Sequence, residues 1–502
     1  MTTAEPGQEP GATTVLTEVR EGSYGGKITA VEPGGAEFIP LDERHGRPLG
    51  LFWTWTSPNF EFATVFVGAI PIIFFGLTFA QAALAVLLGT ALGSVSMGFL
   101  SARGPLFGVP QMVLSRIGFG YWGNWLPAGI NSLVAGVGWF AVNSVSGSLA
   151  LHALWNGLPE VGALLIIVVL QIGIAFVGHN LVHAFERYAF PVLMLIFVAM
   201  TITAFSKATP GALGGGVGSP GGIGGFLISF GAAFGYAAGW NPYASDYTRY
   251  LAPDSNRRAV GMWAGLGVFA SCVLLELGGA AAATVGFTAT GKDAGPAAGW
   301  FDNPTASFVG VAPHWLADAT LLAIALGAIA ANVLNVYSGA MSFLALGIRI
   351  PFNLRRALVA LVFGLAGFFL AWSGLSDAGA KYNDFLLIIA YWIGPWLGVF
   401  FTDQVLRRGQ RVDHLLYNRR HNPVAGFLAM LIGGGVAIWL FSNQNPGQGL
   451  PGYVGWVPKH HPAFGDPTFE VGTVLAALLY WLFHSLEAGR WSPAPPTDGP
   501  AV

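Results

Sequence analysis

The sequence predicts an all-α integral membrane protein of about twelve transmembrane helices, and three observations carry that expectation. Hydrophobic residues fill 54% of the 502 positions and charged residues only 10%, against the ~25% charged content of soluble domains. The apolar residues fall in runs that recur from about Leu51 to His484. Each run is long enough for the roughly 20 helical residues that cross a ~30 Å hydrocarbon layer. The basic residues also sort by side. If both tails are cytoplasmic, every Lys and Arg except Lys207, Lys292, Lys381 and Lys459 falls on the inner side, the bias expected for an even number of spans.

Taken in order, residues 1–48 are rich in Gly, Pro, Thr and Glu without apolar periodicity and read as a disordered cytoplasmic tail. Spans follow near 51–77, 81–101, 124–151, 160–178, 183–205, 224–245, 259–287, 316–346, 355–373 and 384–405, giving a ten-helix core over 49–406. Residues 407–488 supply a basic cytoplasmic loop and two further spans near 423–442 and 469–486, and residues 489–502 form a Pro-rich cytoplasmic tail. The N-terminus lacks the order of a cleaved signal peptide, so the first span would itself direct insertion. A net charge of −2 gives no reason to expect nucleic acid, and the single Cys272 excludes an intramolecular disulfide. No Walker loop, Rossmann glycine pattern, zinc spacing or nucleophile elbow occurs, so neither an enzyme nor a cofactor or metal centre is expected. The expected partners are membrane lipid and a small molecule, with no obligate protein partner evident.

Two spans are interrupted. Thr56-Ser57-Pro58-Asn59 breaks the first, and Gly235 followed by Gly239-Trp240-Asn241-Pro242 breaks the sixth. Unwound backbone at membrane depth is tolerated only beside protein or a water-filled cavity, and paired breaks in corresponding helices point to a transporter's binding site. Ordinary proline kinks would leave the same trace.

In the third span Trp139 and Asn143 stand four residues apart, on one helical face. An indole face can stack on a planar ring, and a carboxamide offers a donor and an acceptor together, matching the edge of a pyrimidine, purine or hydantoin. Packing of Trp139 against lipid or a neighbouring helix is the bland alternative. The eighth span adds Asn332, Asn335, Tyr337 and Ser338, an unusual polar density at membrane depth; either amide could serve a site or only glue helices together, the second reading weighing more for Asn332 than for Asn335. Ionisable residues within spans are Glu61, beside the first break, and Glu276 in the seventh. A carboxyl at such a place can take up and release a proton during transport. Asp246, Arg249 and Asp403 fall at cytoplasmic helix ends, where capping or loop ion pairs are the simple explanation.

At these residues the chain resembles the nucleobase:cation symporter family one, the purine–cytosine permease group. The resemblance rests on Ser115-Arg116-Ile117-Gly118-Phe119-Gly120 through Pro127, on Trp139 with Asn143, and on Gly235-Tyr236 through Asp246-Tyr247-Thr248-Arg249-Tyr250. It continues through Asn335-Val336-Tyr337-Ser338-Gly339 and Gly394-Pro395 to Asp403 with Leu406-Arg407-Arg408. It implies a five-plus-five inverted repeat of the leucine-transporter type with two extra C-terminal helices, in the plasma membrane, working by alternating access. It further implies stacking on Trp139, amide contacts from Asn143 and Asn335, and a second aromatic from the sixth span. Where the sodium-coupled hydantoin branch carries that aromatic, counting back from Asp246 gives Ala237. Tyr236 or Trp240 would then take over, which favours the cytosine–purine branch. The expected activity is uptake of a nucleobase by cation symport. Allantoin or hydantoin, uracil, a vitamin such as thiamine or pyridoxine, and a non-transporting membrane sensor are the alternatives. In the sodium-coupled branch two adjacent hydroxyl residues precede the eighth-span asparagine by six and five positions; here they are Ile329 and Ala330. The expected coupling ion is therefore H+ rather than Na+, carried by Glu61 with Glu276 in reserve.

Overall fold

In hydrocarbon every backbone N–H must find its partner within its own segment, so apolar runs of this length become helices. The computed structural model describes residues 35–177, 179–211, 221–285, 300, 303–348, 355–376, 378–444 and 452–487, with side chains at all of these except 175–189 and 351–360. Among the described residues the chain is helical apart from turns and isolated bridge residues, among them the antiparallel pair Asn443 and Val454.

The first span is split into α1 (Gly50–Thr56) and α2 (Phe62–Ile73), followed by α3 (Phe79–Ser101). The third comprises α4 (Trp125–Leu133), a π turn over Val134–Trp139, and α5 (Phe140–Leu154). Next come α6 (Glu160–Val177), α7 (His179–Lys207) and the second split span, α8 (Gly222–Ala238) with α9 (Ala244–Thr248). Then α10 (Arg257–Thr284), α11 (His314–Leu344), α12 (Arg355–Gly374) and α13 (Ala378–Leu406) complete the core, and α14 (Ala425–Phe441) and α15 (Thr468–Glu487) pack on α13. Eight helices among the described residues are long and apolar enough to cross a membrane. Four shorter apolar ones, Phe62–Ile73, Glu160–Ile174, Leu361–Gly374 and Ala425–Phe441, fall where further spans are expected.

The packing pairs repeat on a shift of five spans. α2 lies on α10 as α8 lies on α3, α5 on α6 as α11 on α12, and α5 on α12 as α11 on α6. The pairs α5–α11 and α6–α12 map onto themselves. An odd shift reverses direction through the membrane, so such a repeat is inverted. The two split spans correspond under it.

One expectation is corrected. Residues 35–48, which the composition assigns to a disordered tail, are packed against the bundle; the rest of that tail and residues 489–502 lie outside the described residues. Ile39 N–H donates to the Gly108 carbonyl and His45 N–H to Tyr250. The Arg44 guanidinium donates to the Ile39 and Pro105 carbonyls at 3.1 and 2.7 Å. Hydrogen bonding to backbone carbonyls distant in sequence orders this stretch, a force that composition does not report.

Candidate substrate site

Both breaks contain a proline in a 3-10 turn. Pro58 starts a 3-10 turn over Ser57–Asn59 and Pro242 one over Asn241–Tyr243, each at a position where a proline N–H is not missed. Glu61 then turns extended, at φ −150° and ψ 170°, and caps α2 by accepting from Ala63 N at 3.0 Å. The Asn59 carboxamide donates to Trp55 O at 2.7 Å and to Ser271 Oγ at 3.0 Å, replacing helix bonds lost at the turn.

Two bridges join the breaks. Trp240 Nε1 donates to Asn59 Oδ1 at 2.9 Å, and the Tyr236 hydroxyl contacts Glu61 Oε1 at 3.1 Å. Tyr236 also shares a short hydrogen bond with Thr64, whose hydroxyl reaches the Asn59 carbonyl at 2.6 Å.

Trp139 sits against the outer face of this junction, at the end of the π turn. Its indole meets Tyr236 edge to face at 5.5 Å and 80°, Phe385 at 5.1 Å and 83°, and Tyr382 at 6.3 Å and 67°. Gly239 leaves room for it, since a Cβ there would stand 3.3 Å from Trp139 Cζ2. One turn on, Asn143 Nδ2 donates to Asn332 Oδ1 at 3.0 Å, and Asn335 Nδ2 reaches the same oxygen at 3.4 Å. Asn332 Nδ2 donates to the Phe140 carbonyl at 2.8 Å, and Tyr243 donates to Asn335 Oδ1 at 3.2 Å. The buried Asn143 Oδ1 has no protein partner, which leaves an acceptor open beside the aromatic group.

A cavity of about 310 Å3 lies on the side away from residues 35–48, with Ala63, Gly138, Val142, Tyr382 and Phe385 among its walls and Lys381 in its lining; Trp139, Tyr236, Asn143 and Asn335 do not line it, and Tyr382 and Phe385, which touch Trp139, stand between it and them. That volume suits a small ligand. On the opposite side the protein is closed. Arg249, fully buried, donates to Gly35 O at 2.8 Å, Glu37 O at 3.4 Å and the Tyr337 hydroxyl at 3.3 Å. The Tyr417 hydroxyl donates to Ala36 O at 2.8 Å. Burial and the neighbouring Arg249 push Arg44 down to about 10. Arg249 is thus a tie between α9, α11 and the N-terminal segment rather than a simple helix-end charge.

Glu61, Tyr236, Trp139, Asn143 and Asn335 are brought together, and Trp240 braces the breaks. Ala237 is not among them. It packs on α3, where a Cβ on Gly93 would stand 2.8 Å from its own, so Tyr236 is the residue turned towards Trp139. Glu276 also stands apart, accepting from the Thr90 hydroxyl at 2.7 Å where Gly68 of α2 meets α10. Asn332, read from sequence as glue, is the shared acceptor of the amide cluster. Tyr382 and Phe385 were not singled out; their only signal is two aromatics three residues apart at the start of the tenth span.

Permeases for cytosine/purines, uracil, thiamine and allantoin form the family whose pattern matches residues 38–444. Over 472 residues the chain is 28% identical to the purine-cytosine permease fcyB of Emericella nidulans, covering 91% of this chain and 89% of that protein. It is 29% identical over 387 residues to the putative purine-cytosine permease YxlA of Bacillus subtilis, covering 74% and 79%. Its fold matches that of Mhp1, a nucleobase-cation-symport-1 family transporter in a closed conformation with bromovinylhydantoin bound. The TM-score is 0.69 at 19% identity, over 92% of this chain and 96% of that one.

Proposed function

Because the chain belongs to the family of permeases for cytosine/purines, uracil, thiamine and allantoin, we propose that it imports a cytosine-like or purine-like base across the plasma membrane, both termini inside, by proton symport. The observation that carries this reading is the junction of Trp139 and Tyr236 with the open acceptor of Asn143 beside it. A planar base entering from the cavity would stack on the indole, a contact worth on the order of 1–3 kcal/mol. Its amino or ring N–H would meet Asn143 Oδ1, and its carbonyl or ring nitrogen the Asn335 amide. The relatives described as purine-cytosine permeases support this class of substrate.

The proton inventory around Glu61 supports the coupling ion. Three oxygen contacts run in series: Glu61 to Tyr236, Tyr236 to Thr64, and Thr64 to the Asn59 carbonyl. The carbonyl can only accept, and the two hydroxyls supply one proton each. A proton on Glu61 completes the chain, with the other carboxyl oxygen accepting from Ala63 N. A base displacing Tyr236 from Trp139 would break this series, so substrate and proton occupancy are linked through one side chain. Ile329 and Ala330 place no side-chain oxygen on the helix that crosses the first break, whereas a hard cation such as sodium prefers oxygen ligands.

Uptake of radiolabelled cytosine, adenine, hypoxanthine and allantoin into proteoliposomes, each with unlabelled competitors, tests the reading. Cytosine or a purine should accumulate and be displaced by its relatives. Accumulation of allantoin alone would replace the nucleobase with a hydantoin, and binding without accumulation would leave a sensor.

A further inference from the structure

Two troughs run along the lipid-facing surface of α3, one on each side of a ridge made by Val95 and Phe99. The first, of about 830 Å3, lies between α3 and α10, and the second, of about 630 Å3, between α3 and α13. The first is deep because glycines let the backbones meet: a Cβ on Gly98 would stand 2.8 Å from the Gly261 carbonyl, and one on Gly265 2.8 Å from that of Ser94. The ridge is exposed, Phe99 at 65% and Val95 at 57%.

Both troughs run to the same basic cluster at the end of the bundle that carries residues 35–48. Arg257 borders both, Arg258 the first, and Arg103 and Arg408 the second. Among the described residues none of these guanidiniums has a carboxylate within salt-bridge distance. Arg103 Nη2 donates to Gln404 Oε1 at 2.5 Å, while its buried Nη1 has no partner. Unopposed cations around a buried, unsatisfied donor call for an anion.

We propose that this face binds one anionic glycerophospholipid, its phosphate among Arg103, Arg257 and Arg408 and its two acyl chains in the troughs on either side of Phe99. The dimensions agree. The first trough follows α3 from Ala91 to Ala102, about 16 Å at ~1.5 Å per residue, which is one leaflet of a ~30 Å hydrocarbon core. Basic pockets between membrane helices are the expected sites of anionic headgroups. A protein partner would need acidic groups at the rim and an apolar wedge forked around Phe99, whereas a two-chain lipid has both features by constitution.

The test is native mass spectrometry of the purified full chain, titrated with phosphatidylglycerol and with phosphatidylcholine of the same chains. Phosphatidylglycerol should bind as a discrete adduct well below the concentration at which phosphatidylcholine does. Each arginine lost among the exposed pair Arg257→Gln and Arg408→Gln should weaken it about fivefold, with phosphatidylcholine unchanged and the Lys variants restoring binding. If the double variant does not fold, Val95→Trp, which fills the trough from an exposed position and keeps every charge, should remove the same adduct. Equal binding of the two lipids, retention of the adduct in these variants, or its displacement by inorganic phosphate alone would overturn the proposal. So would a dimer crosslinked through cysteines placed at Phe99 and Met262, because a second copy would then occupy the face.

Discussion

Asn332 Oδ1 accepts from both Asn143 and Asn335 while its own amide is held by the Phe140 carbonyl, so its loss would release two amides at once. Trp139→Ala and Asn143→Ala should each weaken binding by ~1–3 kcal/mol, roughly 5- to 150-fold, with folded protein still in the membrane. Asn332→Ala should cost at least as much as Asn335→Ala, and combining it with Asn143→Ala should add less than the sum. Radioligand binding checks all of these, and additive effects would make the amides independent. His421 supplies a pH test outside the spans. Burial pushes it from 6.5 down to about 4, although its Nε2 donates to Ile117 O at 2.9 Å. The folded state therefore holds it neutral while the unfolded chain protonates below pH 6.5. Its contribution is complete above that pH and is lost as pH falls towards 4, by up to roughly 3 kcal/mol. His421→Gln should flatten the fall in thermal midpoint across that window.

At the scale of elements, helices meet where side chains are absent. A Cβ on Gly68 would lie 1.6 Å from the Glu276 carbonyl, and one on Gly279 1.8 Å from that of Val65, so α2 and α10 touch backbone to backbone. Gly68→Ala must push the broken helix away and should cost about 1–3 kcal/mol or more, read as a lower thermal midpoint and lost uptake. Gly435→Ala, with nothing within 4 Å, should do neither. The π turn at Val134–Trp139 has a related cause. Gly339 of α11 approaches Gly136 so closely that a Cβ would be 2.8 Å from its nitrogen, and the widened turn ends at Trp139. Such bulges concentrate at functional sites.

For the whole molecule the two sides are unequal, with a cavity walled by Tyr382 and Phe385 on one and the Arg249 tie on the other. Arg249→Ala should loosen the lower side. A cysteine at Ser338 in a Cys272→Ala background should then react faster with a reagent applied from that side, and an unchanged rate would deny Arg249 a closing role. Coupling is read at the same scale. Uptake should fall as external pH rises and persist when choline replaces sodium, and Glu61→Gln should flatten the pH dependence while sparing exchange of bound substrate. Sodium-stimulated binding at constant pH in purified protein would reverse the assignment.

Span positions, both breaks and the pairing of Trp139 with Asn143 were legible in the sequence because each depends on local chemistry. Length and apolarity decide insertion, proline removes a donor wherever it stands, and residues four apart on a helix share a face. The resemblance left Tyr236 and Trp240 as alternatives in place of Ala237, and only packing shows which of them meets Trp139, since Ala237 lies against Gly93 of α3 and the Tyr236 ring against the indole. The same holds for Asn332 as shared acceptor, for Tyr382 and Phe385 between the cavity and Trp139, and for residues 35–48 under Arg249 and Tyr417. Each of these depends on which atoms of distant helices approach within hydrogen-bonding or van der Waals distance. That is a property of the packed bundle, and no window of sequence contains it.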